Sequence, residues 1–277
     1  MSTSLQFSDW HTPSAAAESL ATILVPIDGS TLAEQALPVA AALAQRHGSR
    51  IELAIVTTRG LLRGDPAKQI IRRAHAIRAD LIIMATHGRT GFARTLGGSV
   101  ADTVVRDSGV PVLLLRQTSD ARPPRSSSAF SGMLILTDGS AESRAVIDAA
   151  IAVATPAETT IRLLQVVSPV RTIPDPSLPF GYLQYADAAA TAALVGQARS
   201  GLEELTASIA ARSGCIVDPH LIIERNVTDA IVNFIKRHRV DLIAMATHGR
   251  GASRLLVGSV GDAVLRATDL PMLVLRP

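Results

Sequence analysis

The chain has 277 residues, a length typical of two domains. Hydrophobic residues make up 47% and charged residues 18%, which excludes a disordered chain. The net charge is only +3, aromatic residues make up 3%, and no lysine and arginine cluster is present, so the composition argues against a nucleic-acid-binding protein.

A single cysteine, Cys215, excludes an internal disulfide and a cysteine-rich metal site, and it fits a reducing, cytoplasmic location. No run of 18 apolar residues is present, so we expect neither a membrane span nor a membrane partner. The first residues lack the pattern of a secretory signal. Residues 1–20 are expected to form a flexible N-terminal tail.

Internal repetition is the most informative feature of the chain. Three segments of the first half recur in the second half: residues 23–30 match 134–140, residues 81–89 match 242–250, and residues 98–116 match 258–276. We therefore predict two copies of one domain, a first repeat over 21–117 and a second repeat over 131–277. The segment between them, 118–130, is rich in Pro, Arg and Ser and is expected to be a linker.

The first repeat begins with a short apolar strand that ends at Asp28. Its second strand ends near Val56. Asp65 and Pro66 then give the N-cap and first turn of a helix, on which apolar residues recur through Ile77. A further strand ends at 85–88, before a glycine-rich segment and a helix that Ser99 opens.

The second repeat shows the same alternation with more elements. Ser140 is expected to cap a helix running to about Ala154, and Thr228 is expected to cap a helix that runs through His238. Pro219 is expected to place its strand at a sheet edge. Leu194, Ala198, Leu202, Leu205 and Ile209 recur at helical spacing. The predicted strands are 133–137, 161–167, 216–223, 241–246 and 271–275, with a last helix over 259–266.

The two repeats differ in length. The offset between matching residues rises from 110 at Asp28 and Asp138 to 161 at Gly88 and Gly249, so the second repeat carries 51 additional residues. A parallel crossover needs a dozen or more residues, which the first repeat lacks after Val56. We predict that the first repeat has lost the helix after strand two and the third, edge strand, leaving four strands.

Buried strands alternating with helices predict a parallel sheet that is covered on both faces. Ligands of such sheets bind outside the carboxyl ends of the strands. Asp28, Gly88, Gly98 and Ser99 would converge there, and a helix N-terminus suits a phosphate. The spacing of the serines to Asp102 and Asp262 is also that of a capping box, which needs no ligand.

The motifs D-G-S, M-A-T-H-G-R, G-S-V and the closing P-V-L-L-L-R together resemble a tandem universal stress protein. The resemblance implies two flavodoxin-like (Rossmann-like) α/β sandwich domains with sheet order 3-2-1-4-5. It also implies pairing of the domains through their last strands, which would join 110–115 to 270–275 within one chain. Many members of the family bind ATP and others do not.

The family's ATP motif is G-x-x-G, nine residues, then G-S, and each repeat departs from it differently. The first repeat has Ala85 in place of the first glycine and keeps the spacing, whereas the second has Ala246 and only eight intervening residues. By resemblance, the nucleotide-binding residues would be Pro26, Asp28, Ala85, His87, Gly88, Arg89, Gly98, Ser99, Val100, Asp138, Ala246, His248, Gly249, Arg250, Gly258, Ser259 and Val260.

The function expected from these residues is that of a cytoplasmic stress-response protein that binds ATP, with or without Mg, and regulates without turnover. His87 and His248 are interpreted as ordering the loop, because no serine–histidine–carboxylate set or zinc spacing accompanies them. A nucleotide-independent scaffold is the first alternative. A slow ATPase or autophosphorylating protein, with Ser99 or Ser259 as acceptor, is the second. The sequence leaves open a homodimer, the signalling partner and which repeat binds.

Overall fold

The computed structural model describes residues 20–56, 65–87, 100–117, 130–172, 185–247 and 258–277. The first repeat contains four strands and four helices in these ranges. Its strands are β1 (Thr22–Ile27), β2 (Arg50–Ile55), β3 (Leu81–His87) and β4 (Val112–Gln117). Its helices are α1 (Thr31–Glu34), α2 (Ala36–His47), α3 (Pro66–Ile77) and α4 (Val100–Asp107).

The second repeat has more elements in its described residues. Its strands are β5 (Gly132–Thr137), β6 (Thr160–Val167), β7 (Arg171–Thr172), β8 (Tyr185–Ala186), β9 (Ile216–Ile223), β10 (Leu242–Ala246) and β11 (Met272–Leu275). Its helices are α5 (Ala141–Arg144), α6 (Ile147–Val153), α7 (Ala188–Ser213), α8 (Val227–Arg237) and α9 (Gly258–Ala267). Strands β7 and β8 form a small separate ribbon.

Nine strands form one sheet in the order β2-β1-β3-β4-β11-β10-β5-β6-β9. In this sheet the pairs within each repeat are parallel, and the second repeat has the order 3-2-1-4-5 that the resemblance implies. The first repeat contributes four strands, with β2 outermost. The repeats meet where β4 and β11 pair antiparallel, with Leu113 opposite Leu273. The mixed α/β sandwich expected from the strand pattern is therefore confirmed.

Helices cover both faces of this sheet, and each face has its own apolar core. One core takes residues from α2, α6 and α7, and it runs through both repeats. The other takes residues from α3, α4, α8 and α9. Because inner strands such as β5 and β10 are buried from both sides, they are almost entirely apolar rather than alternating with polar residues.

Local signals predicted most helix starts correctly. Asp65 caps α3, with its Oδ1 accepting from the Ala67 amide at 3.0 Å, and Ser140 caps α5. The prediction that Thr228 caps α8 is wrong, because the Asn226 side chain accepts from the Asp229 amide. Sequence spacing could not separate these two caps, since both residue types are good acceptors.

The single helix expected from Ser140 to about Ala154 is wrong, because it is divided into α5 and α6. The Ala145 amide donates to the Glu142 carbonyl at 3.1 Å, a tighter three-residue turn than the α-helical one. The first repeat is divided at the matching point, where the Gln35 amide donates to the Leu32 carbonyl. The division is thus a feature of the repeated fold and not of one sequence.

The additional residues of the second repeat explain a contrast in burial between β2 and β6. Both strands pair with the first strand of their repeat in the same register, so that Leu53 corresponds to Leu163. Leu163 is 0% exposed beneath α7, which packs against β6 and β9. Leu53 is 48% exposed, because in the described part of the chain no helix or strand of this kind follows β2.

Arginine side chains reinforce the contact between the repeats. Arg46, near the end of α2, donates to the Val153 carbonyl at 2.8 Å and also to the Thr155 hydroxyl, both in the second repeat. Arg116, in β4, donates to the Leu265 and Thr268 carbonyls at the end of α9. Each guanidinium therefore meets the C-terminal end of a helix, where the helix dipole favours positive charge.

His47 makes this contact sensitive to acid. Burial lowers the pKa of His47, and the positive charge of Arg46 lowers it further. The neutral ring accepts from the Arg46 Nε at 3.2 Å. A histidine with a lowered pKa stabilises the fold above its ordinary pKa, about 6.5, and loses this contribution as the pH falls through the lower folded value.

We therefore expect His47→Gln, which keeps an acceptor but does not titrate, to lose less stability than the parent chain on acidification. Urea unfolding of both chains at about pH 7.5 and about pH 5.5 measures the difference. The other titrating groups are common to both chains and cancel. An identical pH dependence would contradict this role of His47.

No helix in the described ranges is both long enough and apolar enough to cross a bilayer.

Candidate functional site

The sheet brings the sequence-predicted site residues of each repeat to one edge. In the first repeat β1 lies directly beside β3, so Asp28 and the end of β3 at His87 face the same end of the sheet. In the second repeat β5 lies beside β10, which brings Asp138 to the end near Ala246. Helices α4 and α9 follow these strand ends, as the expected crevice requires.

An Asp-Gly-Ser turn leads out of β1 and shapes the first crevice. The Asp28 Oδ1 accepts from the Ser30 amide at 2.9 Å, and the Ser30 Oγ accepts from the Ala33 amide at 3.1 Å. Gly29 has φ +82°, a conformation that strongly favours glycine. Asp28 is exposed and also has a structural role, because it holds the turn that starts α1.

The second repeat contains the same turn with more hydrogen bonds. The Asp138 Oδ1 accepts from the Ser140 amide at 3.0 Å and from its hydroxyl at 2.5 Å. The Thr137 Oγ1 accepts from the amide of Gly139, whose φ is +84°, and lies 2.9 Å from the Ser143 Oγ. These bonds hold the carboxylate of Asp138 at the mouth of the crevice.

Gln165 distinguishes the second crevice from the first. It pairs with Thr137 near the end of β6, is only 7% exposed, and its Nε2 would lie 3.2 Å from a Cβ placed on Gly139. The corresponding residue of the first repeat is Ile55, which is 73% exposed. An amide that can donate and accept thus closes one corner in the second repeat, where the first repeat has an open apolar corner.

The threonines of the repeated A-T-H-G motif also differ. The Thr247 Oγ1 is buried and has no hydrogen-bond partner within the described ranges. The matching Thr86 donates to the Leu115 carbonyl at 3.5 Å. A buried hydroxyl without a partner costs free energy, so its position beside the crevice is a reason to look for a ligand there.

The alanines that replace the first glycine of the ATP motif lie inside strands. Ala85 belongs to β3 and Ala246 to β10, and neither has a positive φ. A methyl group is therefore tolerated by the backbone at both positions. Pro26 and its counterpart Leu136 are both buried within their strands, so this difference between the repeats is one of core packing.

Much of the glycine loop of each repeat lies outside the described residues. This applies to Gly88, Arg89, Gly98, Ser99, His248, Gly249 and Arg250, and to the side chains of His87 and Ser259. Gly258, Val260 and Val100 lie in the first turns of α9 and α4, at the ends expected to face a phosphate. The nucleotide-binding roles of all these residues remain predictions.

Sequence reasoning missed Gln165 and Thr247. Gln165 is one of the polar residues of a mostly apolar strand, and Thr247 lies next to the repeated histidine, but neither signal by itself marks a site residue. Among the described residues, no three His, Cys, Asp or Glu side chains are grouped as metal ligands would be. The described side chains of the crevices, such as Asp138 and Gln165, are suited to form hydrogen bonds with hydroxyl and amide groups of a ligand.

Comparison with known proteins identifies the family. The sequence profile of the universal stress protein family matches residues 54–116 and 130–276. Universal stress protein Mb2028c of Mycobacterium bovis is 27% identical over 199 residues, 72% of this chain and 62% of that protein. Universal stress protein MJ0531 of Methanocaldococcus jannaschii is 44% identical over 57 residues, 21% of this chain and 34% of that protein. The matches thus cover less than two thirds of these relatives.

Solved structures show the same fold over nearly the whole chain. A universal stress protein from Archaeoglobus fulgidus superposes with a TM-score of 0.63 at 17% identity, covering 94% of this chain and 97% of that one. A protein of unknown function from Pseudomonas aeruginosa gives a TM-score of 0.59 at 18% identity, with 95% of each chain covered. From the two matched segments and this shared architecture we conclude that the chain belongs to the universal stress protein family.

Proposed function

We propose that this protein is a cytoplasmic stress-response module that binds an adenine nucleotide, ATP in the first instance, in the crevice of its second repeat and regulates without turning the nucleotide over. The contrast between the two crevices carries the proposal. The second crevice has Gln165 buried over Gly139 and a buried Thr247 hydroxyl that has no partner among the described residues, whereas the matching corner of the first has exposed Ile55.

Each part of the second crevice suits a different part of the nucleotide. The Asp138 carboxylate accepts hydrogen bonds, as ribose hydroxyls require, and it lies at the end of β5 beside β10. The start of α9 at Gly258 supplies backbone amides for the phosphates. Gln165 can bond the adenine or ribose. A magnesium ion would be held mainly by the phosphates, which need few protein ligands.

Calorimetric titration of nucleotide-stripped protein with ATP and magnesium tests the proposal. Gly249→Asp and Gly88→Asp form a matched pair, because the glycines occupy the same position of the two loops. We expect Gly249→Asp to abolish binding, since it adds a negative charge beside the phosphates, and Gly88→Asp to retain it. Thermal unfolding without ATP controls for loss of fold.

A smaller effect is expected from Gln165→Leu. Losing a neutral hydrogen bond of about 0.5–1.5 kcal/mol would weaken ATP binding by roughly two- to twelvefold. At ATP about 100 times above its Kd, bound ATP should stabilise the fold by about 2.7 kcal/mol. If millimolar ATP produces no heat of binding and no thermal shift, nucleotide binding is refuted.

A nucleotide-independent interaction module is the second candidate function. The observation that favours it is the first repeat, whose shortened sheet leaves apolar side chains of β2 exposed. The eight-residue spacing of the second loop, one residue short of the family motif, also favours it. The titration and thermal unfolding with ATP separate the two functions, because an interaction module would give no heat of binding and would unfold at the same temperature with and without ATP.

A further inference from the structure

We infer that the open edge of the first repeat is a dimerisation surface, at which β2 pairs antiparallel with β2 of a second copy of this chain across a two-fold axis. The surface consists of residues 50–56. It is separate from the crevice of the second repeat, whereas its residue Ile55 also borders the crevice of the first repeat. The inference does not depend on nucleotide binding.

The first reason is the exposure of this strand. Leu53 is 48% and Ile55 73% exposed, while their counterparts Leu163 and Gln165 are buried beneath the additional elements of the second repeat. Leu53 therefore occupies a position that is buried in the complete fold of the second repeat. Its cover is lacking in the described part of the first repeat, and exposed apolar strand edges of this kind favour strand pairing.

The second reason is the direction of the backbone groups. The Arg50 and Val56 amides donate to the Ala21 and Ile27 carbonyls beside β1, each at 2.8 Å. Since successive residues of a strand point to opposite sides, the amides and carbonyls of residues 51, 53 and 55 point away from β1. In the described chain no strand lies on that side of β2.

One two-fold register uses all of these groups. In this register Leu53 lies opposite the partner's Leu53, Ile51 lies opposite the partner's Ile55, and Ile55 lies opposite the partner's Ile51. Each of these three pairs exchanges two hydrogen bonds, which gives about six. A shift by one step puts Glu52 opposite the partner's Glu52, which like-charge repulsion disfavours. A further step in the same direction requires the Ser49 amide, which already donates to the Ala44 carbonyl.

Charge and packing are compatible with this register. Glu52 would lie opposite the partner's Ala54, and its carboxylate is already paired with Arg73 on α3. Ile51 packs against the apolar core that runs through both repeats. The exposed strip is therefore continuous with the apolar core on that face of the sheet.

The two edges of the sheet are not equivalent. The opposite edge strand, β9, contains Pro219, which lacks an amide hydrogen, and the charged side chain of Asp218. Proline is a common protection against edge pairing, and β2 contains none. Both edge strands carry charged residues, Arg50 and Glu52 in β2, so it is the proline that distinguishes them. Pairing of β2 with β2 closes after two chains, because the same surface is used on both.

Sedimentation of the full chain tests the inference. Because the surface is small, we expect a weak dimer whose share rises between about 10 μM and 1 mM protein. Leu53→Lys should abolish it by placing like charges directly opposite each other. The control is Ile216→Lys, at a position 68% exposed on the other edge, which should leave the dimer unchanged.

A second variant identifies the register. In a Cys215→Ser background, Leu53→Cys should form an intermolecular disulfide, because facing residues in this register lie about 5.5 Å apart at Cα. Amide exchange should slow with concentration at residues 51, 53 and 55 but not at 50, 52 and 54. A monomer over the whole range would overturn the inference, as would a dimer that persists in Leu53→Lys or leaves Leu53→Cys uncrosslinked.

Discussion

Leu163→Ala should lower the free energy of unfolding by about 2–5 kcal/mol, whereas Leu53→Ala should lower it by less than about 1.5 kcal/mol. The two leucines hold the same position of the two repeats and differ only in their cover. Leu163 is enclosed by α7 and β9, so its removal leaves a cavity. Around Leu53 solvent already has access, so little cavity is created.

Urea unfolding of the two variants and the parent chain measures this difference. The pair is its own control, because the same atoms are deleted from the same strand position. The measurement should be made at micromolar protein, where the dimer proposed above is mostly dissociated. Equal losses of stability would show that β2 is covered in solution, contrary to the described arrangement.

Arg116→Met should lower the free energy of unfolding by about 1.5–3 kcal/mol. Arg116 is only 8% exposed and donates from β4 to the carbonyls of Leu265 and Thr268, so it joins the first repeat to the end of α9 in the second. Methionine keeps most of the apolar volume but removes the donors. The two buried carbonyls then lose a charge-assisted hydrogen bond.

The matched control is Arg276→Met, because Arg276 follows β11 at the position that Arg116 holds in the first repeat. Arg276 is more exposed, so this change should stay within about 0.5 kcal/mol. Thermal and urea unfolding of both variants measure the effect. A loss in Arg276→Met as large as that in Arg116→Met would contradict a specific role for Arg116.

The sequence predicted the architecture well because the determining signals are local or repeated. The apolar strands, the cap at Asp65 and the helical spacing from Leu194 to Ile209 each depend on neighbouring residues. The 51 additional residues of the second repeat also predicted that β2 is an outer strand, because a parallel crossover needs a minimum length.

The candidate site was only partly predictable. Asp28 and Asp138 could be located because each ends a strand within a repeated motif. Gln165 and Thr247 could not, because their importance depends on which strand lies beside which, and on a hydroxyl that is buried without a partner in the described part of the chain. Whether the methyl groups of Ala85 and Ala246 are tolerated likewise depended on the backbone φ angle, which cannot be read from the sequence.

By itself, then, the sequence determined the two repeats, the order of elements and the shortened first repeat, since apolar periodicity and repetition are properties of the chain alone, and its motifs resembled those of the family. Only the tertiary structure decided that the two crevices differ and that β2 is an open apolar edge. It also decided that Arg46 and Arg116 join the repeats. These features arise from residues far apart in the chain, and burial and hydrogen-bond partners exist only once the sheet has brought them together.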